Sequence, residues 1–360
     1  MDEKRQLFMI DSLDTSHGMS HVICRQNLYD DCISLYEDKL DRVLKEFPFR
    51  IKFQDEKAVD TGGVARDMYS AFWELSYVKD FDGGSSFVPL TNPHINLDRY
   101  KVLGTILCHG FMSTGFLPIR LCFPVIAYTL LGVSVSISNN IMVNSFVDFL
   151  STYDSSVIRE ALSIQSSKTS VFPKHLQDAL INILGRMDCR EVPTPANLQK
   201  IIVDISRYEL TVKPLAALNS IRMGVPTIYN SFWKDFSVKN LYDFYKTLCV
   251  SPASVLSALS TSDSINSAQN TVLTYLKTFI GNMVHEDLRN FLRFVTGSSV
   301  LIEKKITITF NCISGLSRRP ISHTCSSTLE LSTAYHSYPE FSQEFLSLLR
   351  SEIAWPMNAL

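Results

Sequence analysis

Residues 319–331, RPISHTCSSTLEL, place a cysteine in a polar turn between a proline-containing loop and a short alternating run. Small polar residues surround Cys325, so the pattern predicts a solvent-accessible thiol, which a nucleophilic cysteine needs and a core cysteine lacks. His323 lies two residues earlier, where its charged form would favour the thiolate. A single cysteine is more often inert packing than a nucleophile, so the rest of the chain decides the interpretation.

Size and composition predict a folded protein of two or three units. The chain has 360 residues, of which 46% are hydrophobic and 19% are charged. The net charge of −2 gives no basic surface of the kind that nucleic-acid binding requires, so we expect no nucleic-acid partner.

Cysteine spacing bears on metals and on the cellular compartment. The eight cysteines include no C-x-x-C pair, and no Cys/His run offers four zinc ligands. They are typical of reduced thiols in a cytoplasmic and/or nuclear protein, and we expect neither a metal nor a cofactor. The charged N-terminus has no apolar segment after it, so no signal peptide is predicted.

Two apolar runs, 102–119 and 121–133, raise the question of a membrane span. Polar and helix-breaking residues interrupt them, including His109, Pro118 and Arg120. The pattern favours two buried core helices joined by a turn, so we expect no membrane partner.

The first 250 residues show mixed signals. Residues up to about 20 carry little pattern and are expected to be loosely held. The alternation in 49–53 predicts a strand, and the glycine pair in 59–68 predicts a turn into a helix. Neither phosphate-binding glycine motif is present, so this turn is interpreted as docking a helix on a strand. Thr194 and Pro195 predict the start of a further helix.

Composition changes at 249–253 and again at 260–267, which predicts a domain boundary near residue 250. Beyond it, apolar spacing predicts two helices, the second ending at Gly297. The β-branched run 306–310 predicts a strand, and Ser337 predicts the cap of a closing helix. These elements form a small α+β domain with Cys325 on its rim.

These motifs, taken together, resemble the catalytic domain of HECT-type ubiquitin ligases. FVTGSS (294–299) followed by PISHTC (320–325) is similar to the C-terminal lobe of that family. Five further motifs resemble, in order and spacing, those of the N-terminal lobe of that family. They are RQNL (25–28), RIKF (50–53), VDTGGVARD (59–67), LGTILCHG (103–110) and LLG (130–132). The similarity is greatest to a divergent branch that includes the G2/M-phase-specific ubiquitin ligases.

The resemblance implies an α+β, bilobal fold. Residues 1–250 would form a mostly helical N-lobe with short strands, which docks a ubiquitin-conjugating enzyme. Residues 251–360 would form a smaller α+β C-lobe that carries the nucleophile.

The resemblance also implies residue roles. Cys325 would accept ubiquitin from the conjugating enzyme as a thioester and pass it to a lysine of a substrate that the sequence does not identify. His323 and Thr324 would shape the loop around the nucleophile. The hinge that moves the C-lobe would comprise Val250, Ser251 and Pro252. Gly62, Gly63 and Arg66 are interpreted as scaffold.

The chain departs from the family pattern in three places. The segment 150–194 is short for the insert that docks the conjugating enzyme. Ser326 follows the cysteine where many members have an aromatic residue. Met357 stands where the family often has a phenylalanine that aids the last transfer step, with Trp355 as a stand-in.

Two alternatives stay open on the sequence alone. A non-catalytic HECT-like scaffold would bind ubiquitin or a conjugating enzyme without transfer. A cysteine hydrolase would need a histidine base such as His285 or His336 beside Cys325.

Overall fold

The computed structural model describes residues 1–12, 20–56, 62–132, 134–165, 171–262 and 264–351, and the structural statements below concern these residues. The helices are α1 (Asp2–Ser12), α2 (Leu28–Asp38), α3 (Leu40–Val43), α4 (Gly63–Asp80), α5 (Leu97–Thr114), α6 (Phe123–Leu131), α7 (Asn139–Phe149), α8 (Thr152–Gln165), α9 (Lys174–Gly185), α10 (Leu198–Arg207), α11 (Leu215–Met223), α12 (Asn230–Lys234), α13 (Val238–Leu248), α14 (Pro252–Ala258), α15 (Ser267–Gly281), α16 (His285–Thr296) and α17 (Tyr338–Arg350).

The strands form three small sheets. They are β1 (His21–Ile23), β2 (Ile51–Phe53), β3 (Phe81–Gly83), β4 (Phe87–Pro89), β5 (Leu259–Ser260), β6 (Ile306–Asn311), β7 (Ile321–His323) and β8 (Thr328–Ser332). β1 pairs with β2 in parallel, β3 pairs with β4 antiparallel, and the third sheet has the order β5-β6-β8-β7. Helices with short strands agree with the α+β class that the sequence predicted.

Contacts divide the chain into two compact units, neither of which is continuous in sequence. One unit combines the described residues of Met1–Glu74, His109–Pro118 and Lys246–Leu360. The other combines those of Leu75–Cys108 and Ile119–Tyr245. The first turns of α4 therefore share a unit with the region that carries Cys325. The division into two lobes at residue 250 stays a prediction.

The region after residue 250 has a hydrophobic core of its own within the first unit. Side chains of α14 to α17 pack there against the four-stranded sheet, for example Leu276, Phe291, Leu329 and Phe341. β6 and β8 are parallel, and β7 pairs antiparallel with β8. The turn between β7 and β8 thus lies at one end of a sheet that packs against helices.

A buried histidine lies in the N-terminal part of the same unit. His109 on α5 is fully buried, and its Nδ1 lies 2.7 Å from the Tyr36 hydroxyl and 2.9 Å from the Tyr69 hydroxyl. The ring of Phe49 meets it edge-on at 4.9 Å between centroids. Burial lowers the pKa of His109 to about 3, and the charge of His21 acts in the same direction. The ring is therefore neutral, and its Nδ1 shares hydrogen bonds with the two tyrosine hydroxyls.

In the second unit, α5 and α11 approach each other through glycine. A Cβ placed on Gly104 would lie 1.8 Å from the carbonyl oxygen of Ile221, and one placed on Gly224 would lie 1.8 Å from that of Lys101. The Thr105 hydroxyl donates to the Gly224 carbonyl at 2.7 Å. The two backbones are in direct contact, so no side chain fits at either glycine.

Two expectations from the sequence are wrong. Residues 2–12 are not loosely held, because they form α1, where Met9 is buried and Arg5 donates to the Met112 carbonyl at 2.8 Å. The helix expected at Thr194 begins only at Leu198. Asn197 accepts from the backbone N–H of Thr194 at 2.7 Å, so a side-chain-capped turn precedes the helix.

The apolar runs after residue 102 form α5 and α6, as predicted. Among the described residues, no helix has the length and apolar character needed to cross a membrane.

The neutral His109 makes stability dependent on pH. Its folded-state pKa lies near 3 and its ordinary value is 6.5, so only the unfolded chain gains this proton as the pH falls below 6.5. We expect His109→Gln to remove a loss of about 2 kcal/mol in the free energy of unfolding between about pH 7 and about pH 5. Urea denaturation at both pH values measures this. The exposed His94→Gln serves as control and keeps the wild-type slope, and an unchanged slope in His109→Gln contradicts the assignment.

The glycine contact predicts a second effect on stability. Gly104→Ala forces a methyl group into the Ile221 carbonyl, and we expect the free energy of unfolding to fall by about 1–3 kcal/mol. Gly185→Ala, at the end of α9, meets nothing within 4 Å and should leave stability unchanged or slightly higher. Equal melting temperatures for the two variants would disprove the close approach.

Candidate active site

Cys325 lies at the tip of a β-hairpin. β7 and β8 pair up to His323 opposite Thr328, which leaves the four residues 324–327 as the turn. The backbone N–H of Ser326 donates to the His323 carbonyl at 3.1 Å. Ser327 has a left-handed backbone, with φ of 48°, as such turns require near their end. The sequence predicted this polar turn and an accessible thiol, and Cys325 is exposed.

The end of the turn is tied to the sheet. The Ser327 carbonyl accepts from the backbone N–H of Thr307 on β6 at 3.0 Å, and Ser327 itself is buried. The Ser326 hydroxyl donates to the Thr328 hydroxyl at 2.9 Å. These bonds hold the chain on the C-terminal side of Cys325 while the thiol stays in solvent.

The start of the turn is held by α4. Arg66 donates through Nη2 to the Thr324 carbonyl at 2.9 Å, and its Nη1 pairs with the Glu303 carboxylate. A Cβ on Gly63 would lie only 2.7 Å from the Thr324 hydroxyl oxygen. The first turn of α4 therefore packs directly against the residue that precedes Cys325. We call this contact, made by Gly63, Arg66, Glu303 and Thr324, the seat.

The C-terminal end of α16 packs against the seat at Gly63. Gly297 has the left-handed conformation that ends this helix, and a Cβ there would lie 2.4 Å from the Gly63 carbonyl oxygen. The Ser70 hydroxyl donates to the Arg66 carbonyl at 2.9 Å and accepts from the Ser299 N–H at 3.0 Å. Glycine at 297 thus satisfies two requirements, the left-handed cap and the close approach to α4.

Asp67 links α4 to two arginines. Its carboxylate is 1% exposed, 2.8 Å from Nη2 of Arg25 and 2.6 Å from Nε of Arg293. Arg25 also pairs with Glu56 and stacks over the Phe53 ring, 3.7 Å from its centroid. The network joins the segment before α2, the start of α4 and α16.

His323 lies beside a carboxylate, whereas a cysteine hydrolase needs a histidine paired with its nucleophilic thiol. Its Nε2 lies 3.6 Å from Glu330, whose other oxygen accepts from Asn311 at 2.9 Å. Within the described ranges, no histidine is hydrogen-bonded to the Cys325 sulfur. A Cys–His pair of the kind that cysteine hydrolases use is therefore not assembled among these residues.

The cysteines of the described chain differ in how far they are exposed to solvent. Cys32, Cys108 and Cys122 are buried, and burial raises the pKa of each of these thiols, which disfavours the reactive thiolate. Cys312 and Cys325 are the exposed cysteines of the described chain. Only Cys325 lies on the seated turn.

The predicted hinge residues lie at the junction of α13 and α14. Pro252 opens α14, and the Ser251 hydroxyl caps it by accepting from the Ser254 N–H at 3.1 Å. The backbone N–H of Ser251 in turn donates to the Ser254 hydroxyl at 2.9 Å. Val250 is half-buried.

Other predicted positions fall elsewhere. The short segment 150–194 contains α8 and α9, with residues 166–170 outside the described part of the chain. Trp355 and Met357 also lie outside the described residues. Sequence reasoning treated Arg66 as scaffold and did not find Asp67, Arg293 or Glu303, since no local pattern marks pairs separated by more than 200 residues.

The Asp67 network predicts a large effect of charge removal. Asp67→Ala leaves two arginines facing a buried position without their carboxylate, and we expect the free energy of unfolding to fall by about 3–5 kcal/mol. Asp148→Ala breaks the Asp148–Arg159 pair, which is exposed on both sides, and should cost about 0–1 kcal/mol. Chemical denaturation of both variants measures the difference, and similar losses would contradict the structural role of Asp67.

A protein-family model matches most of this chain. The family model described as HECT-domain (ubiquitin-transferase) matches residues 64–351, which include Arg66, Glu303, Thr324 and Cys325. A comparison with curated proteins found no match. Because the family model spans most of the chain, this protein belongs to the HECT family of ubiquitin-transferase domains.

Proposed function

We propose that the chain is a ubiquitin-protein transferase in which Cys325 carries ubiquitin as a thioester. HECT domains in general work with ubiquitin and a ubiquitin-conjugating enzyme. The observation that carries the proposal is the exposed Cys325 on a turn fixed at both flanks, within the region that the family model matches. An exposed thiol on a fixed backbone suits attack on a large partner that approaches from solvent.

The proposed reaction has two steps. The Cys325 thiolate attacks the thioester carbon that joins ubiquitin to the conjugating enzyme, a new C–S bond forms, and the enzyme's thiolate leaves. A substrate lysine, as the free amine, then attacks the new thioester carbon. The C–S bond to Cys325 breaks, an isopeptide bond forms, the amine releases one proton to solvent, and the thiolate of Cys325 is regenerated.

Thioester exchange replaces one C–S bond by another, so the protein mainly has to bring the two sulfurs together. In this proposal His323 and Thr324 shape the loop, and the Val250–Pro252 segment is the hinge. The lobes would be 1–250 and 251–360, and the short 150–194 segment would lie where the conjugating enzyme docks. Kinship with the G2/M-phase-specific branch and a cytoplasmic or nuclear location belong to the same proposal.

A ubiquitin-loading assay tests the proposal. Activating enzyme, a panel of conjugating enzymes, ATP and labelled ubiquitin are incubated with the protein and separated on non-reducing gels. We expect a ubiquitin-sized adduct that reducing agent cleaves and that Cys325→Ala lacks. Cys325→Ser should form an oxygen ester that survives reducing agent and is cleaved by alkali. Cys312→Ala, which removes the other exposed thiol, is the matched control and should load like the wild type.

Two results would overturn the proposal. An adduct that persists in Cys325→Ala and disappears in Cys312→Ala would move the nucleophile to Cys312, directly after β6. No adduct with any conjugating enzyme, from protein with a cooperative melting transition, would favour the alternative of a HECT-like scaffold that binds ubiquitin or a conjugating enzyme without transfer.

A further inference from the structure

We infer that Arg66 is a positioning residue for Cys325, acting through the seat. The inference rests on the proposed function, because it concerns the presentation of the same thiol. Arg66 is 7% exposed and belongs to α4, yet its Nη2 bonds to the carbonyl of residue 324, 258 positions further along the chain. Its guanidinium bonds to the Glu303 carboxylate and to the Thr324 carbonyl, so its effect is exerted through the backbone of the turn.

The seat fixes the turn where the sheet does not. On the C-terminal side, the Ser327 carbonyl is bonded to Thr307 of β6, so the sheet itself holds that flank. On the N-terminal side, the Thr324 carbonyl is bonded to Arg66 instead. Removing the guanidinium would therefore free the Thr324 carbonyl, next to Cys325, and leave the strand pairing up to His323 in place.

The seat is closely packed as well as hydrogen-bonded. The missing side chain of Gly63 lets Thr324 approach α4 to within contact distance, and the missing side chain of Gly297 lets the end of α16 approach the Gly63 carbonyl. Glu303 neutralises the Arg66 charge from a position that is 40% exposed. A guanidinium that bonds a carboxylate and a carbonyl at once is held in one geometry, which a lysine cannot reproduce.

The seat does not hide the nucleophile. Cys325 and Ser326 are exposed while the residues that flank them are bonded. This arrangement fits presentation of the thiol to an incoming thioester and does not fit an autoinhibitory cover. Loss of the seat should therefore lower the rate of transfer between two positioned sulfurs, because misplacement of a reacting group by about 1 Å can cost about 100-fold.

Single-turnover loading of Arg66→Met tests the inference. At saturating ubiquitin-charged conjugating enzyme, we expect the loading rate constant to fall by about 10- to 100-fold, with the half-saturating concentration unchanged within about twofold. Arg66→Lys should recover only part of the rate. Arg42→Met, which breaks an exposed pair with Glu46, is the matched control and should load at the wild-type rate.

Two further measurements separate positioning from general damage. Alkylation of Cys325 by iodoacetamide, followed by peptide mass spectrometry, should proceed at the wild-type rate in Arg66→Met, because the thiol is exposed in both. Amide hydrogen exchange in peptides that cover 323–327 should become faster in Arg66→Met and stay unchanged in Arg42→Met.

A second variant keeps the inference testable if Arg66→Met does not fold. Gly63→Ala keeps the arginine but pushes a methyl group against the Thr324 hydroxyl, so loading should slow by about tenfold. Thr324→Ala removes the oxygen that the new methyl meets first, and adding it to Gly63→Ala should restore part of the rate.

The outcomes distinguish this inference from the proposed function. A wild type that forms no adduct overturns both. A wild type that loads, with Arg66→Met and Gly63→Ala loading equally fast, overturns the role of Arg66 alone. A rate loss matched by slower iodoacetamide alkylation would also overturn it, since the thiol itself would then be altered.

Discussion

The geometry of the site depends on the ion pairs of the buried Asp67 carboxylate. A carboxylate that is 1% exposed would be strongly destabilising without a partner, and here it has two, Arg25 and Arg293. One partner precedes α2 and the other lies on α16, so the ion pairs fix both elements against the first turn of α4. That turn also carries Gly63 and Arg66. The position of the Cys325 turn on α4 is thus tied to the ion pairs of Asp67, the residue that follows Arg66.

This pairing restricts the motion that a hinge at 250–252 would allow. A swing of α16 away from α4 would separate Arg293 from Asp67 and leave a buried carboxylate with one arginine. Breaking a buried pair costs about 3–5 kcal/mol, whereas one hydrogen bond to a charged group contributes about 1.5–3 kcal/mol. The bond from Arg66 to the Thr324 carbonyl is therefore easier to release than the Asp67 network. We expect local release of the turn to need less free energy than a movement of the whole C-terminal core.

Local sequence patterns predicted the elements whose structure depends on neighbouring residues. Alternation predicted β2 and β6, glycine predicted the end of α16, and small polar residues predicted the exposed turn at Cys325. The predictions failed where a distant partner decides. The local sequence did not predict α1, because one of its contacts, from Arg5 to the Met112 carbonyl, joins residues more than 100 positions apart. In the same way, Arg66 looked like scaffold, because Thr324 and Glu303 are adjacent to it only in the folded chain.

A nucleophile has to be both fixed and accessible, and these demands oppose each other when side-chain packing does the fixing. Packing immobilises a thiol by burying it, as in Cys32 and Cys108, and burial raises the thiol pKa and suppresses the thiolate. Backbone bonds avoid this conflict. Around Cys325 the fixed atoms are the carbonyls of its neighbours, so the sulfur keeps its contact with solvent. Thioester exchange with a large partner requires an accessible sulfur on a defined path, and a turn held by its carbonyls provides both.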